Sequence, residues 1–255
     1  MNDKFILFLT CVAFCCFSCR SKNDSSGATT GSSVIATSSW TAAYAQVAGA
    51  DNIIILAPVE MSHPSEYELR PSDIPKLMGA TVIVYAGYEI MSEQLKKGLN
   101  LPPEKLLLIQ TEYSYETIEK AVMELAVRLG TENIARENLL EIRRVFDDGR
   151  KAVVEKNELG LRVAVHHFHV PLAKELGLDP VVIFGPAVPE LSEIVSVSRT
   201  EVTMLLDNFH NPVGQSLKEI LPNARYKQLL NFPGSQGTHT LSDVIRYNVS
   251  QIVSD

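Results

Sequence analysis

Beyond residue 19 the sequence contains no cysteine, because all four, Cys11, Cys15, Cys16 and Cys19, lie before that point. The remainder can form no disulfide and offers no thiolate to a metal. Basic residues are outnumbered, 23 Lys and Arg against 30 Asp and Glu, giving a formal charge of -7. No basic stripe is visible, which argues against nucleic acid as a partner. The chain has no Gly-x-Ser-x-Gly elbow, no phosphate-binding loop and no His-Glu-x-x-His pair. These are marked routes to catalysis, so their absence points to a protein that is not an enzyme. The apolar run over 5–14 falls short of the ~20 residues that a membrane-spanning helix needs.

That run follows Lys4 and precedes a cluster of small residues and cysteines, the pattern of an export signal. Ser18 directly before Cys19 suggests a lipoprotein cleavage site, with Cys19 as the lipidated residue. An ordinary signal peptide or an uncleaved anchor is the competing reading. Residues 20–33 are polar and small and read as a flexible tether. The expected location is outside the cytoplasm, held by lipid to a bacterial membrane, in the periplasm or at the cell surface.

From Val34 onward, short apolar runs alternate with helical patterns. Runs at 34–37, 52–56, 81–85 and 105–109 read as strands, the second as one buried on both faces. Helices are expected over 39–48, 71–78, 88–97 and 115–129, the last stopped by Gly130. Residues 131–157 carry apolar positions at helical spacing, with Gly149 as the weak point. Strands resume at 161–165, 181–184, 202–206 and 226–230, with helices at 171–176 and 240–253. Alternating strands and helices imply βαβ units. The expected fold is α/β, two Rossmann-like lobes with parallel sheets: residues 34–130, a linking helix over 131–159, and residues 160–255.

All six histidines fall beyond expected strands, where parallel α/β sheets bind ligands. Neutral imidazole suits zinc and other borderline divalent metals. His63, His166 and His210 are therefore candidate metal ligands from both lobes, with His169 as a possible fourth. Glu60, Glu66 and Asp207 stand near them as possible oxygen ligands or supports. Because a ligating imidazole must be neutral, ordinary histidines predict that affinity falls below about pH 6.5. His239 follows a glycine-containing loop and is expected to matter less.

With these residues in view, the sequence resembles the zinc/manganese-type ABC transporter solute-binding proteins. The likeness runs through 34–40, through 63–73 with His63, Tyr67 and Asp73, through 81–87, through 166–178 from His166, and through 240–248. It implies two α/β lobes bridged by a long helix, with a divalent metal, zinc or manganese, carried as cargo between them. It also implies an ABC permease and ATPase as partners and a monomeric binding protein. Several family positions differ. Ser65 stands where the first histidine is usual, Glu112 to Tyr115 replace the second ligand motif, and Asn231 replaces a late aspartate. The family's histidine-rich acidic loop is missing. A solute-binding protein for a metal complex or another small solute, and a surface adhesin, remain as alternatives.

Overall fold

The computed structural model describes residues 33–156 and 160–254. The export signal, Cys19 and almost all of the tether expected from the sequence lie outside them. None of the described helices is long and apolar enough to cross a membrane.

The first sheet contains β1 (Ser33–Ala36), β2 (Asn52–Ile55), β3 (Val82–Tyr85) and β4 (Leu106–Leu108), parallel and in the order β2-β1-β3-β4. The second contains β5 (Val163–His166), β6 (Pro180–Phe184), β7 (Met204–Asn208) and β8 (Arg225–Leu229), in the equivalent order β6-β5-β7-β8. The two-lobed parallel α/β architecture expected from the sequence is the one present. One strand differs in placement. β2 is an edge strand, exposed or half-exposed along its length, rather than a strand buried on both faces. Ile53 and Ile54 pack against different clusters on its two faces, but the strand has one neighbour only and its side chains stay partly exposed.

In the first lobe the helices are α1 (Ser39–Val47), α2 (Ile74–Gly79), α3 (Met91–Glu93) and α4 (Tyr115–Leu129). α1 begins at a reciprocal capping box, in which Ser38 and Thr41 satisfy each other's backbone N–H groups. α4 ends where Gly130 turns left-handed at φ +70°. α3 is a single turn that continues as a π-helical turn over 94–98.

α5 (Glu132–Glu155) joins the lobes. Toward its start, Asn138 Nδ2 donates to the Val47 carbonyl, and Thr131 just ahead of it donates to the Ala48 carbonyl. Near its end, Arg150 donates to the Glu175 carbonyl and carboxylate at 3.0 and 2.8 Å. Gly149 has a packing reason. A Cβ there would come within 2.8 Å of both Leu176 Cδ2 and Val249 Cγ2. The lost helix propensity is offset by close approach of neighbouring elements.

The second lobe adds α6 (Val170–Glu175), α7 (Leu191–Ser198), α8 (Gln215–Ile220) and α9 (Leu241–Val253). One hydrophobic cluster runs through both lobes, including Val34, Tyr44, Phe146, Val165, Leu206 and Ile245. A shared core couples the lobes more tightly than a bare hinge would.

Candidate functional site

The order in which strands are added reverses at the centre of each sheet, between β1 and β3 in one lobe and between β5 and β7 in the other. A parallel sheet binds ligands beyond its strand C-termini at such a switch point. Here both sets of C-terminal ends border one cavity of about 490 Å³. The first lobe contributes Ser38 and Trp40 after β1, His63 and Ser65 after β2, Tyr88 and Glu89 after β3, and Thr111 after β4. The second contributes Phe168 after β5, Asn208, His210 and Asn211 at and after β7, and Asn231 and Phe232 after β8.

The histidines divide into two groups. His63 is exposed and lines the cavity just ahead of a 3-10 turn. His210 also lines it but is nearly buried, its ring stacked on Phe232 with centroids 3.7 Å apart. His166 and His169 are both fully buried and do not border the cavity. His166 is the last residue of the central strand β5, and Phe168 packs on its ring at 5.0 Å and reaches the cavity in its place. The His169 ring lies 6.1 Å from that of His166.

Of the expected set, His63 and His210 line the cavity, whereas His166 and His169 are buried behind it. Among the described residues, no group of three or more His, Asp or Glu side chains could hold a metal ion. The reason is positional. His166 is still within the central strand β5 and His169 is buried in the turn that follows, whereas His63 and His210 lie in the loops after β2 and β7. His239 is exposed beside a different cavity near Pro233, and His167 is exposed.

Burial sets the electrostatics of the inner histidines. Desolvation pushes His166 down to about 4, with His167 adding repulsion. It pushes His169 down to about 3, with His166 and His210 adding repulsion. His210 is lowered to about 4 by desolvation and then by His63. These rings are neutral at physiological pH. Protonation of His210 is therefore displaced well below the ordinary histidine range. The Leu229 carbonyl and the Asn208 side chain lie beside the buried His169 ring and oppose part of the downward shift.

Glu89 was not marked by the sequence. It is a buried carboxylate in the cavity wall and accepts from Thr37 Oγ1 at 2.6 Å, Ala86 N at 2.9 Å, Gly87 N at 2.7 Å and Ser92 Oγ at 3.0 Å. Its position just after an apolar strand was the available signal. Asp207, by contrast, does not face the cavity. It lies within β7 and accepts from Asn208 N, Gly214 N and Tyr226 Oη, bracing the following turn. Glu60 and Glu66 are exposed. Glu112 accepts from Thr117 Oγ1 at 2.6 Å at the start of α4 and does not border the cavity.

No family model matches the sequence. No curated protein matches it either. Solved structures do match the fold. A manganese-bound periplasmic metal-binding protein from Candidatus Liberibacter asiaticus is 18% identical, covers 86% of this chain and 97% of its own, and superposes with a TM-score of 0.64. The SBP FpvC from P. aeruginosa in complex with Ni²⁺ is 18% identical, with coverages of 86% and 94% and a TM-score of 0.66. A cadmium-bound form of the Liberibacter protein gives 18% identity, 86% and 97% coverage, and a TM-score of 0.63. The chain shares the two-lobed fold of these metal-binding proteins.

Proposed function

We propose that this protein is an exported solute-binding protein that captures a divalent transition metal between its lobes and hands it to an ABC permease and ATPase. The observation that carries this reading is the cavity bordered by the strand ends of both lobes, with His63 in its wall on one side and His210 on the other. A solute held from both sides favours the closed arrangement of the lobes, and a transporter can recognise that arrangement. The similar structures hold manganese, Ni²⁺ and cadmium, which supports a divalent ion as cargo. Imidazole contacts favour zinc over manganese. The protein acts as a monomer and by binding, without catalysis.

Elemental analysis of protein purified without added metal should detect a first-row divalent metal, and calorimetric titration should rank zinc above manganese. His63→Ala should weaken zinc binding about 10-fold or more, roughly 1.4 kcal/mol. His166→Ala and His169→Ala should leave zinc affinity within about 2-fold. If His63 and His210 can both be removed without weakening any of these metals, the metal reading is wrong.

Anchoring is proposed at Cys19. A Cys19→Ser variant should lose fatty-acid labelling and move to the aqueous phase on detergent partitioning. Labelling that persists until Cys15 or Cys16 is replaced would place the lipid elsewhere.

A further inference from the structure

The cavity's hydrogen-bonding polarity deepens the metal-capture reading and rests on it. His210 Nδ1 accepts the Asn231 backbone N–H at 3.4 Å, so the neutral ring carries its proton on Nε2. That Nε2 is buried and without a partner. It presents an N–H group, and its lone pair becomes available to a metal only if this hydrogen bond is given up. Two further buried donors without partners belong to cavity residues, Trp40 Nε1 and Asn208 Nδ2. The Asn208 amide orientation is fixed because its Oδ1 accepts the His210 backbone N–H at 3.0 Å. Against these donors stands one buried orphan acceptor in the cavity wall, Asn231 Oδ1.

An N–H group cannot ligate a cation, and its positive end faces the ion unfavourably. Orphaned buried donors instead call for acceptor oxygens on the solute. Glu89 is already engaged with the four donors described above, so it is a poor ligand for an incoming ion. In the cavity wall a bare ion would find His63 and the Asn231 side-chain oxygen, with no three-ligand group among the described residues.

Size points the same way. A cavity of about 490 Å³ falls in the range of small organic ligands and has room for far more than one ion. Trp40 and Phe232, whose rings lie 6.2 Å apart, supply an apolar aromatic wall.

We infer that the cleft takes its metal as a complex with a small organic chelator bearing carboxylate or phenolate oxygens. Those oxygens accept from Trp40, Asn208 and His210. A flat apolar part of the chelator lies along Trp40 and Phe232, and His63 fills a coordination position that the chelator leaves open.

Trp40 is the only tryptophan in the chain, so the cavity carries its own fluorescent reporter. The metal-free full-length protein would be titrated with Zn²⁺ alone, with dipicolinate, citrate or 2,3-dihydroxybenzoate alone, and with each equimolar zinc complex. Calorimetry would be run in parallel. At least one complex should bind about 10-fold or more tightly than both Zn²⁺ and its free chelator, and should change Trp40 emission. Trp40→Phe keeps a ring but removes the donor. It should weaken that complex about 5-fold or more by calorimetry while leaving Zn²⁺ alone within about 2-fold, with circular dichroism confirming the fold. His63→Ala should weaken both the complex and Zn²⁺.

Bare Zn²⁺ binding as tightly as every complex would overturn the chelator inference and leave metal capture standing. A chelator that binds equally well without zinc and is indifferent to His63→Ala would overturn both.

Discussion

Acidification from about pH 7.5 to about pH 5 should lower the unfolding free energy of the metal-free protein by on the order of 5 kcal/mol. The cause is the trio of buried imidazoles, His166 at about 4, His169 at about 3 and His210 at about 4. Unfolding returns each ring to water, where its pKa is about 6.5. Between the folded and unfolded values the unfolded chain binds more protons, so stability rises with pH across that window. The contribution is fully present above about 6.5 and is lost as pH falls toward the folded values, at about 1.4 kcal/mol per pH unit per ring. Asp73 and Asp243 lie below the ordinary carboxylate value, because hydrogen bonds outweigh the upward push of burial, so their effect belongs to more acidic solutions. Urea unfolding followed by Trp40 fluorescence at the two pH values measures the difference. A His169→Leu variant should show a shallower dependence. Equal unfolding free energies at both pH values would mean that these rings are not desolvated in the folded protein.

The second large effect is expected at Glu89. Glu89→Ala strips the acceptor from two backbone N–H groups and two hydroxyls in a buried site. Leaving several buried donors unpaired places the cost at about 4 to 5 kcal/mol. For a chain of this size that is a fall in Tm of roughly 10 to 15 °C. Glu89→Gln keeps the shape but turns an NH₂ group toward N–H donors, and should cost about 2 to 3 kcal/mol. Glu66→Ala, at an exposed site, should stay within about 0.5 kcal/mol of the parent. Differential scanning calorimetry orders the three. A Glu89→Ala protein as stable as Glu66→Ala would show that the carboxylate does not organise the loop after β3.

Most of the scaffold could be read along the chain because local chemistry specified it. Ser38 and Thr41 mark the start of α1, Gly130 ends α4, and the apolar runs that became β1, β3, β5 and β7 are buried or nearly so throughout. α7 and α8 were missed. α7 contains Ile194, Val195 and Val197, β-branched residues that blur a helical pattern, and α8 has only 6 residues. β2 was assigned the wrong surroundings, because an apolar run does not record whether a strand ends up at the centre or the edge of its sheet.

The sequence by itself determined the alternation of strands and helices, the parallel α/β class, and the placing of most histidines after strands, with His166 the exception as the last residue of β5. Those features depend on residue type, spacing and neighbours a few positions away. Tertiary structure alone decided which histidines reach the cavity, that Gly149 makes room for Leu176 and Val249, and that Glu89 is enclosed by four donors. It also fixed the His210 tautomer through Asn231, 21 residues further along the chain. Burial, hydrogen-bond direction and desolvation depend on groups that only folding brings together, so no reading of local pattern could supply them.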